Sequence, residues 1–367
     1  MILLLSFFYY FYFSVVGIYV IFLPKILSTL GYSASEIGFI FAAAPLIRFI
    51  LPFLFIKGLQ LNSRIFHLAL IIVVLGAASF YLSVGSFYLL LLSNIALGIG
   101  LSLILPYVEL ISLDAIGKER YGKVRLFGSL GFILVALVLV KFLSSAYIAL
   151  HFLFVLTLIM TVVAYFVQKL SLQHTAEDYE NSHNDVDLLR DWKLWSAFFL
   201  MQMSFGSFYN FFTIYETDGG LSLDMTIYLW SFGVFVEVAM LFFQARFLQF
   251  NLLSVLQFTI AATAFRWFLV YSYPTTLPLL FFAQSLHALS FALFHSAAIS
   301  YLFVHYRHKR LAQQFFAGIS YGLGALFGAL LAGFVYEYYP KGLFLSSSLI
   351  ALGALTMISW YKFSVEE

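Results

Sequence analysis

The chain has 367 residues, of which 63% are hydrophobic and only 10% are charged, and its mean hydropathy is +0.99. A soluble globular domain is excluded, because too few polar side chains would remain to cover its surface. A net charge of +2 gives no reason to expect nucleic acid as a partner, and a chain without cysteine has neither disulfides nor thiolate metal sites. We therefore predict an all-α polytopic membrane protein, in contact with the lipid bilayer and without a metal or another cofactor.

A helix needs about 20 apolar residues to cross the hydrocarbon core of a bilayer. About twelve apolar runs of this kind follow one another between polar breaks. The first run starts at Ile2 without a basic segment before it and continues through Leu23, so we interpret it as a span and not as a cleaved leader. The predicted spans lie near residues 2–26, 34–57, 66–83, 87–112, 125–143, 147–168, 192–216, 224–247, 252–271, 276–302, 312–336 and 342–363.

A long polar segment, Lys169 to Asp191, follows the sixth run and is acidic and rich in Asn, Asp and Ser. This composition is typical of a linker between two bundles. We predict a six-helix bundle over 1–168, a linker over 169–191 and a second six-helix bundle over 192–367.

Lysine and arginine in short loops mark the cytoplasmic side of a membrane protein. Most of them lie in loops on the same side of the membrane as the N-terminus, so both termini and the linker are predicted to be cytoplasmic. The loops predicted at the outer face hold only Lys25, Lys141 and Lys341.

Two short segments, 31–35 (GYSAS) and 220–224 (GLSLD), precede spans 2 and 8 with the same arrangement of a glycine and a serine. Both predict a turn followed by a helix N-cap. Arg48 and Glu237 follow these caps at the same distance along the chain, which at about 1.5 Å per residue places both well inside the bilayer. The charges are therefore equivalent in the two halves and opposite in sign, which indicates two parallel repeats with a site between them at mid-depth.

Residues 106–133 (PYVELISLDAIGKERYGKVRLFGSLGFI) close the fourth span, form a short charged loop and open the fifth span. Glu109 and Arg125 stand on either side of this loop, beside sequence that otherwise suits lipid. A charge in such a place is costly and is kept mainly for pathways, relays or substrate contacts. The alternative is an interfacial pair that snorkels to the cytoplasmic surface and only anchors the hairpin.

This hairpin resembles the helix 4–helix 5 hairpin of the lactose permease branch of the major facilitator superfamily, and in detail its 3-phenylpropionate permease-like members. Pro-x-x-Glu and Tyr-Gly-Lys-Val-Arg-Leu-Phe-Gly-Ser-x-Gly carry the match, and the resemblance extends over essentially the whole chain. It implies twelve helices in two pseudo-symmetric six-helix bundles and transport by alternating access. It also implies that Glu109 and Arg125 contact the substrate inside the cavity.

The resemblance also covers polar residues within the second half. Glu237 and Arg266 match charged residues that serve sugar binding and proton coupling in lactose permease-like proteins, and His287 matches the histidine of span 10. His295 lies about 80° from it around the helix, so that both can face one cavity. The alternatives are a structural ion pair between Glu237 and Arg266 and histidines that only form hydrogen bonds. Asn210 matches an Asn of span 7, although an interhelical hydrogen bond is the better interpretation of this residue.

Some positions depart from the lactose permease pattern. In span 10, the family's Lys and its proton-carrying Glu are replaced by Gln284 and Ser290, and Arg48 is an additional charge that the phenylpropionate permease-like pattern shares. If transport is driven by protons, another group must take them up. Glu237 is the best candidate because desolvation favours its neutral form, and His287 is the second. Span 11 also carries glycines at a spacing typical of close helix packing in lipid, namely Gly318, Gly322, Gly324, Gly328 and Gly333.

Three guanidiniums, Arg48, Arg125 and Arg266, stand against the two acids Glu109 and Glu237. Such an excess favours an anionic substrate, since the guanidinium fork matches a carboxylate. We predict a monomeric, proton-coupled symporter of the bacterial cytoplasmic (inner) membrane for a small organic anion such as an aromatic carboxylate; a neutral sugar or nucleoside is the alternative. The residues expected to bind substrate are Arg48, Glu109, Arg125, Asn210 and Arg266, and those expected to couple protons are Glu237, His287 and His295.

Two other classes of function were weighed. An intramembrane enzyme would need a metal-type spacing such as His-Glu-x-x-His or a nucleophile beside its base, and the sequence has neither. A channel is disfavoured because no ring of like residues recurs along the chain. We therefore predict that the protein is not an enzyme.

Overall fold

The computed structural model describes residues 1–57, 61–171 and 186–366, which form helices joined by short turns. Eleven helices in this part of the chain are long and apolar enough to cross a membrane. The run predicted near residues 192–216 consists of two helices, Trp192–Ser204 and Gly206–Asp218, which meet at Phe205. The prediction of an all-α polytopic membrane protein is confirmed, and the seventh span is broken in the middle.

The spans are numbered in chain order. Their bounds are Ile2–Thr29, Ala34–Ile56, Ser63–Ser83, Phe87–Gly117, Arg120–Phe142 and Ala146–Ser171 for spans 1–6, Trp192–Ser204 with Gly206–Asp218 for span 7, and Leu223–Phe247, Leu252–Ser272, Leu277–His305, Leu311–Tyr338 and Pro340–Val365 for spans 8–12.

The predicted linker over 169–191 lies mostly outside the described residues. Residues 169–171 still belong to span 6, and residues 188–191 form the turn that leads into span 7. The division into two bundles at this linker stays a prediction.

We predicted a short charged loop between spans 4 and 5, and this prediction is wrong about the length of the loop. The chain is helical from Phe87 to Phe142, and only Gly117 departs from helical geometry, with φ 72° and ψ 164°. Glycine takes a positive φ at little cost, so one residue makes the turn. The lysine, glutamate and arginine residues that follow are good helix formers, which explains why the helix resumes at once.

In the part of the chain that the structure describes, three spans contain a stretch of π-helix: Ile18–Phe22 in span 1, Ala288–Leu293 in span 10 and Ala317–Gly324 in span 11. A π-helix has one more residue per hydrogen-bonded turn than an α-helix and occurs frequently at functional sites. The stretches in spans 10 and 11 contain or adjoin the polar residues described below.

The two repeated turns have the same geometry. Gly31 and Gly220 take φ of 92° and 101°, a region that favours glycine. Ser33 Oγ and Ser222 Oγ each accept a hydrogen bond from the backbone N–H three residues later, at 3.3 and 3.2 Å. The predicted N-caps of spans 2 and 8 are therefore confirmed.

The two halves are joined at the predicted outer face. In the described part of the chain, this is where the ion pairs between the halves lie. A hydrogen bond from a backbone N–H to a carboxylate adds to them at the same level. These contacts close the molecule on that side, and they comprise Lys25 Nζ–Asp218 Oδ1 at 2.8 Å, Ser35 N–Glu337 Oε2 at 2.8 Å, and the pair Lys141–Asp224.

Spans 2 and 11 pack in close backbone contact. A Cβ atom on Gly333 would lie 2.7 Å from the carbonyl oxygen of Ala34, and one on Gly322 would lie 2.7 Å from Cα of Phe49. Real Cβ atoms do not approach so closely, so glycine is required at both positions. The interpretation of the span 11 glycines as packing residues is confirmed here.

Candidate functional site

Arg266 of span 9 is fully buried and directs its guanidinium at span 10. Nη1 donates to Nδ1 of His287 at 2.8 Å and to Oγ of Ser290 at 3.1 Å, and Nη2 donates to Oε1 of Gln284 at 2.8 Å. Gln284 and Ser290 are the positions at which the sequence departs from the lactose permease pattern. The neutral side chains that replace Lys and Glu there are thus the acceptors that hold Arg266.

Aromatic rings cover the same guanidinium. Its central carbon lies 4.5 Å from the ring centroid of Phe208 and 4.4 Å from that of Trp267, with Phe205 at 5.9 Å. The quadrupole of an aromatic ring attracts a cation, and the attraction strengthens when water is excluded. These rings therefore offset part of the cost of burying the charge of Arg266.

His287 lies between Arg266 and Glu237. Its Nε2 is 3.3 Å from Oε2 of Glu237, while its Nδ1 faces Arg266. Arginine has donors only, so Nδ1 must accept, and the proton of the neutral ring is then on Nε2, the ring nitrogen that lies near the carboxylate. His287 therefore contacts both groups and separates the guanidinium of Arg266 from the carboxylate of Glu237.

His295 and Arg48 meet at Tyr321 of span 11. Nδ1 of His295 is 2.8 Å from the Tyr321 hydroxyl, and Nη1 of Arg48 donates to the Tyr321 carbonyl oxygen at 3.4 Å. Arg48 belongs to the first half and Tyr321 to the second. The charge of Arg48 is also close enough to act on Tyr12 and Tyr209, one from each half. Its guanidinium therefore lies between the halves.

Glu109 and Arg125 are neighbours in the first half. Arg125 Nε lies 3.8 Å from Glu109 Oε1, and about one third of each side chain is exposed. Tyr121 donates its hydroxyl to the same carboxylate oxygen at 3.0 Å, and the guanidinium carbon of Arg125 is 3.9 Å from the ring centroid of Phe13. The pair is thus positioned by contacts with aromatic residues. Arg125 is also within electrostatic range of His295 in the second half.

Asn210 does not make the interhelical hydrogen bond that its sequence context favoured. Its Nδ2 donates to the carbonyl oxygen of Gly206, one turn earlier in the same helix, at 2.8 Å. Polar side chains in an apolar helix satisfy themselves on such a local carbonyl when no neighbouring acceptor is nearer. Asn210 as a substrate contact stays a prediction.

Sequence reasoning missed the tyrosines of this site, since aromatic content alone carries no positional information in a membrane protein. Tyr121 stands in the hairpin motif, Tyr209 directly precedes Asn210, and Tyr321 lies in the glycine-rich segment of span 11. Each places a hydroxyl in or beside a span next to another polar residue or a glycine. A tyrosine next to a polar residue or a glycine, in or beside a span, is the sequence pattern from which these site residues could have been predicted.

The chain resembles known proteins over most of its length. Residues 2–346 match the model of the MFS_1 like family. The probable 3-phenylpropionic acid transporter of Escherichia coli (strain K12) is 24% identical over 364 residues, which are 95% of this chain and 94% of that protein.

Solved structures share the fold, and two transporters are among them. The nucleoside transporter NupG has a TM-score of 0.80 at 17% identity and covers 98% of both chains. The human organic anion transporter MFSD10 (TETRAN) has a TM-score of 0.66 at 15% identity and covers 97% of this chain and 98% of its own.

Proposed function

This chain belongs to the MFS_1 like family of membrane transporters, and we propose that it carries a small organic anion, in the first place an aromatic carboxylate, together with protons by alternating access. Arg48 carries this proposal. In the described structure its guanidinium lies between the halves and has no carboxylate at ion-pair distance. A carboxylate matches a guanidinium fork in charge and shape, so a substrate anion is the natural partner of Arg48.

The relatives support an acid as the substrate. The curated relative from Escherichia coli is named a probable 3-phenylpropionic acid transporter, and the human structural neighbour is an organic anion transporter. A phenyl ring attached to the carboxylate would suit the tyrosines around Arg48, because aromatic pairs gain about 0.5–1.5 kcal/mol beyond the area they bury. The substrate class thus rests on one guanidinium and the rings around it.

A neutral nucleoside or sugar is the second candidate. Glu109, Tyr121 and Arg125 form a partly exposed set of donors and acceptors that suits hydroxyl groups. The similarity in fold to the nucleoside transporter NupG agrees with it. The two candidates differ in whether Arg48 or the Glu109–Arg125 pair makes the decisive contact.

We place the coupling proton on Glu237. Its side chain is 17% exposed and faces His287, so it is accessible to a proton and linked to Arg266. A neutral Glu237 attracts the Nε2–H group of His287 less strongly than a carboxylate does, which alters the contact that His287 makes with the guanidinium. Proton binding at the cavity would in this way change the packing of spans 8, 9 and 10.

The proposed setting is the cytoplasmic (inner) membrane of a bacterium, with both termini in the cytoplasm and the transporter acting as a monomer. The distribution of Lys and Arg over the short loops supports the orientation. Within it, the closed side of the molecule faces the outside.

The test uses purified protein in liposomes. A thermal-shift screen against carboxylates, nucleosides and sugars selects ligands, and uptake of labelled 3-phenylpropionate is then measured with an inward-directed proton gradient. We expect saturable uptake that collapses with a protonophore and is abolished by Arg48→Ala. Lys57→Ala removes a charge at the predicted cytoplasmic end of the same span and is the matched control. Saturable uptake of uridine or lactose, with no uptake of any carboxylate, would show that the second candidate is correct.

A further inference from the structure

Glu216 is a buried acid that the site described above does not use. It lies near the outer end of span 7, is 1% exposed, and neither oxygen of its carboxyl group has a hydrogen-bond partner. Nearly all buried polar side chains have such a partner, and an unpartnered one in a native structure requires an explanation. A buried ionised carboxylate without a partner would be far more costly still.

The internal repeat shows that the fold does not require an acid there. The offset that relates Gly31 to Gly220 also relates Leu27 to Glu216. The two turns are closed alike, since the backbone N–H of Tyr32 donates to the Leu27 carbonyl at 3.1 Å and that of Leu221 donates to the Glu216 carbonyl at 3.0 Å. Leu27 is also 1% exposed. The same buried position is thus filled by a hydrocarbon side chain in one half and by a carboxyl group in the other.

Glu216 stands between the central polar residues and the outer face. It shares a face of the helix Gly206–Asp218 with Tyr209 and lies about two turns further out. Tyr209 is within electrostatic range of Arg48 and Glu237. The same helix packs against Ile18–Phe22 and Leu23–Thr29 of the other half, so the helix that carries Glu216 lies at the junction of the two halves.

In the described structure, no charged or titratable group at this end of the neighbouring spans forms an ion pair or a hydrogen bond with Glu216. Lys341, at the start of span 12, is exposed and forms no ion pair with the described residues. Five other titratable side chains each have a partner other than Glu216. They are Lys25, which pairs with Asp218; Tyr336, which donates to Asp218; Glu337, which accepts from Ser35 N; Asp224, which pairs with Lys141; and Glu36, which accepts from Ser33 N. Tyr215, next to Glu216, is the titratable group within its electrostatic range. No counter-charge is therefore directed at Glu216 in the described structure.

A metal cation does not fit this position. Such an ion is held by about six or more oxygen ligands, whereas both Glu216 oxygens lack even one polar neighbour at hydrogen-bond distance. In the part of the chain that the structure describes, no group of three His, Cys, Asp or Glu side chains could hold a metal ion. A proton, in contrast, removes the charge of the carboxylate without requiring any other ligand.

We propose that Glu216 is an outer proton site of the transporter. When Lys25–Asp218 and Lys141–Asp224 are separated, the carboxylate takes up a proton from the outer side. In the closed conformation it holds that proton as a neutral carboxylic acid, and it releases the proton towards the cytoplasmic side when water from that side reaches it through the cavity. This proposal rests on the proton coupling proposed above and adds a second acid to Glu237.

The experiment measures the protonation state of the carboxyl group directly and needs no substrate. Infrared difference spectra of the full-length protein in lipid are recorded over a range of pH, and the carbonyl stretch of protonated carboxyl groups is followed. We expect one such band to be lost in Glu216→Gln and retained in Glu237→Gln. Lys25→Met opens the outer contact without changing the number of carboxyl groups, and in this variant we expect the Glu216 band to disappear on raising the pH at lower values than in the wild type.

Two spectroscopic results would overturn the proposal. If Glu216→Gln removes no protonated-carboxyl band, the acid is ionised in the closed state. If the band is present but stays unchanged by pH in Lys25→Met, the acid never exchanges its proton. Both results leave the choice of substrate and the role of Glu237 untouched.

Glu216→Leu separates a proton site from a structural role, because leucine is the side chain at the equivalent position of the first half. We expect this variant to fold with an equal or higher unfolding temperature, to exchange substrate across the membrane, and to lose accumulation driven by a pH gradient. Wild-type accumulation in Glu216→Leu would contradict the proposal. If no substrate is found at all, the infrared measurement still decides the case of Glu216.

Discussion

The guanidinium of Arg266 shows how a single buried charge is accommodated in this protein. Its hydrogen bonds go to a histidine, a serine and an amide, all neutral, and aromatic rings cover the rest. A buried charge without an adjacent opposite charge is costly, so its surroundings tolerate little change. The Lys of the lactose permease pattern would therefore be poorly tolerated at position 284, where its ammonium would lie beside the guanidinium of Arg266.

Gln284→Lys tests this interpretation. The new ammonium would face Nη2 of Arg266 where the amide oxygen now accepts, so that two like charges would be buried together. We expect a loss of stability of about 3 kcal/mol or more, comparable to leaving a buried charge uncompensated. Thermal unfolding in detergent is the measurement, and Gln284→Glu, which supplies an opposite charge, is the matched control. Equal unfolding temperatures for the two variants would contradict the prediction.

Arg125→Lys tests the hairpin of spans 4 and 5. A lysine cannot reproduce the fork of a guanidinium or its stacking over Phe13, so contact with Glu109 and with a carboxylate is weakened. We expect Arg125→Ala to abolish uptake and Arg125→Lys to reduce it about tenfold or more, because a charge-assisted hydrogen bond contributes about 1.5–3 kcal/mol. Both variants should fold. Lys123→Ala, in the same motif and exposed, should keep uptake, and full activity of Arg125→Lys would mean that the arginine is only a cytoplasmic anchor.

Glu237→Gln tests the proton carrier. Glutamine keeps the shape of the side chain but cannot take up a proton, so the coupling step is lost while the substrate contacts remain. We expect the variant to exchange labelled for unlabelled substrate across the liposome membrane, but not to accumulate substrate under a pH gradient. Should it still concentrate substrate, Glu237 is not the carrier, and His287→Asn becomes the next variant to examine.

Spans 7, 10 and 12 are joined at the predicted cytoplasmic face by Asp191, which directly precedes span 7. Its carboxylate accepts hydrogen bonds from Arg190, from Tyr306 at 2.6 Å and from His305 at 3.1 Å. His305 in turn lies 3.4 Å from the hydroxyl of Tyr361 in span 12. One acidic residue thus connects three helix ends just after the linker region.

Asp191→Asn gives a pH-dependent prediction. Burial raises the pKa of Asp191, but the hydrogen bonds from Arg190, Tyr306 and His305 outweigh it and hold the pKa below its usual value. A carboxyl group with a depressed pKa in the folded state stabilises the fold above its unfolded pKa of about 3.9 and loses that contribution as the pH falls through its folded pKa.

We therefore expect Asp191→Asn to lower the unfolding temperature at pH 7, by the equivalent of about 1.5–3 kcal/mol. The difference from the wild type should shrink as the pH approaches 4 and below. Asp187→Asn, in the exposed turn nearby, is the control and should show little change at any pH. A difference for Asp191→Asn that does not vary with pH would contradict the prediction.

At the scale of the whole molecule, the two halves close on each other at the predicted outer face. Ion pairs and the glycine contact of spans 2 and 11 hold this side together. The alternating access proposed above requires that these contacts separate in the opposite conformation. The balance between the two conformations must therefore depend on how closely spans 2 and 11 can approach.

Gly333→Val tests that balance. Its side chain would collide with the backbone of Ala34 and Gly38, so we expect the outer face to open. Because the natural chain has no cysteine, spin labels can be attached at Leu30→Cys and Leu221→Cys, one in each half. The distance between the labels should increase in Gly333→Val and stay unchanged in Gly122→Ala, where a Cβ meets nothing within 4 Å. An unchanged distance in Gly333→Val would show that this contact does not hold the outer face closed.

The sequence by itself determined the class of protein, the position of nearly every span and the two equivalent turns before spans 2 and 8. These features depend on local composition, because a segment in lipid must be apolar and must satisfy its backbone within its own helix. Only the tertiary structure decided that His287 separates Arg266 from Glu237, that Arg48 meets Tyr321, and that Glu216 has no partner. Such contacts join residues far apart in the chain and depend on which faces of different spans meet, which hydrophobic periodicity does not specify.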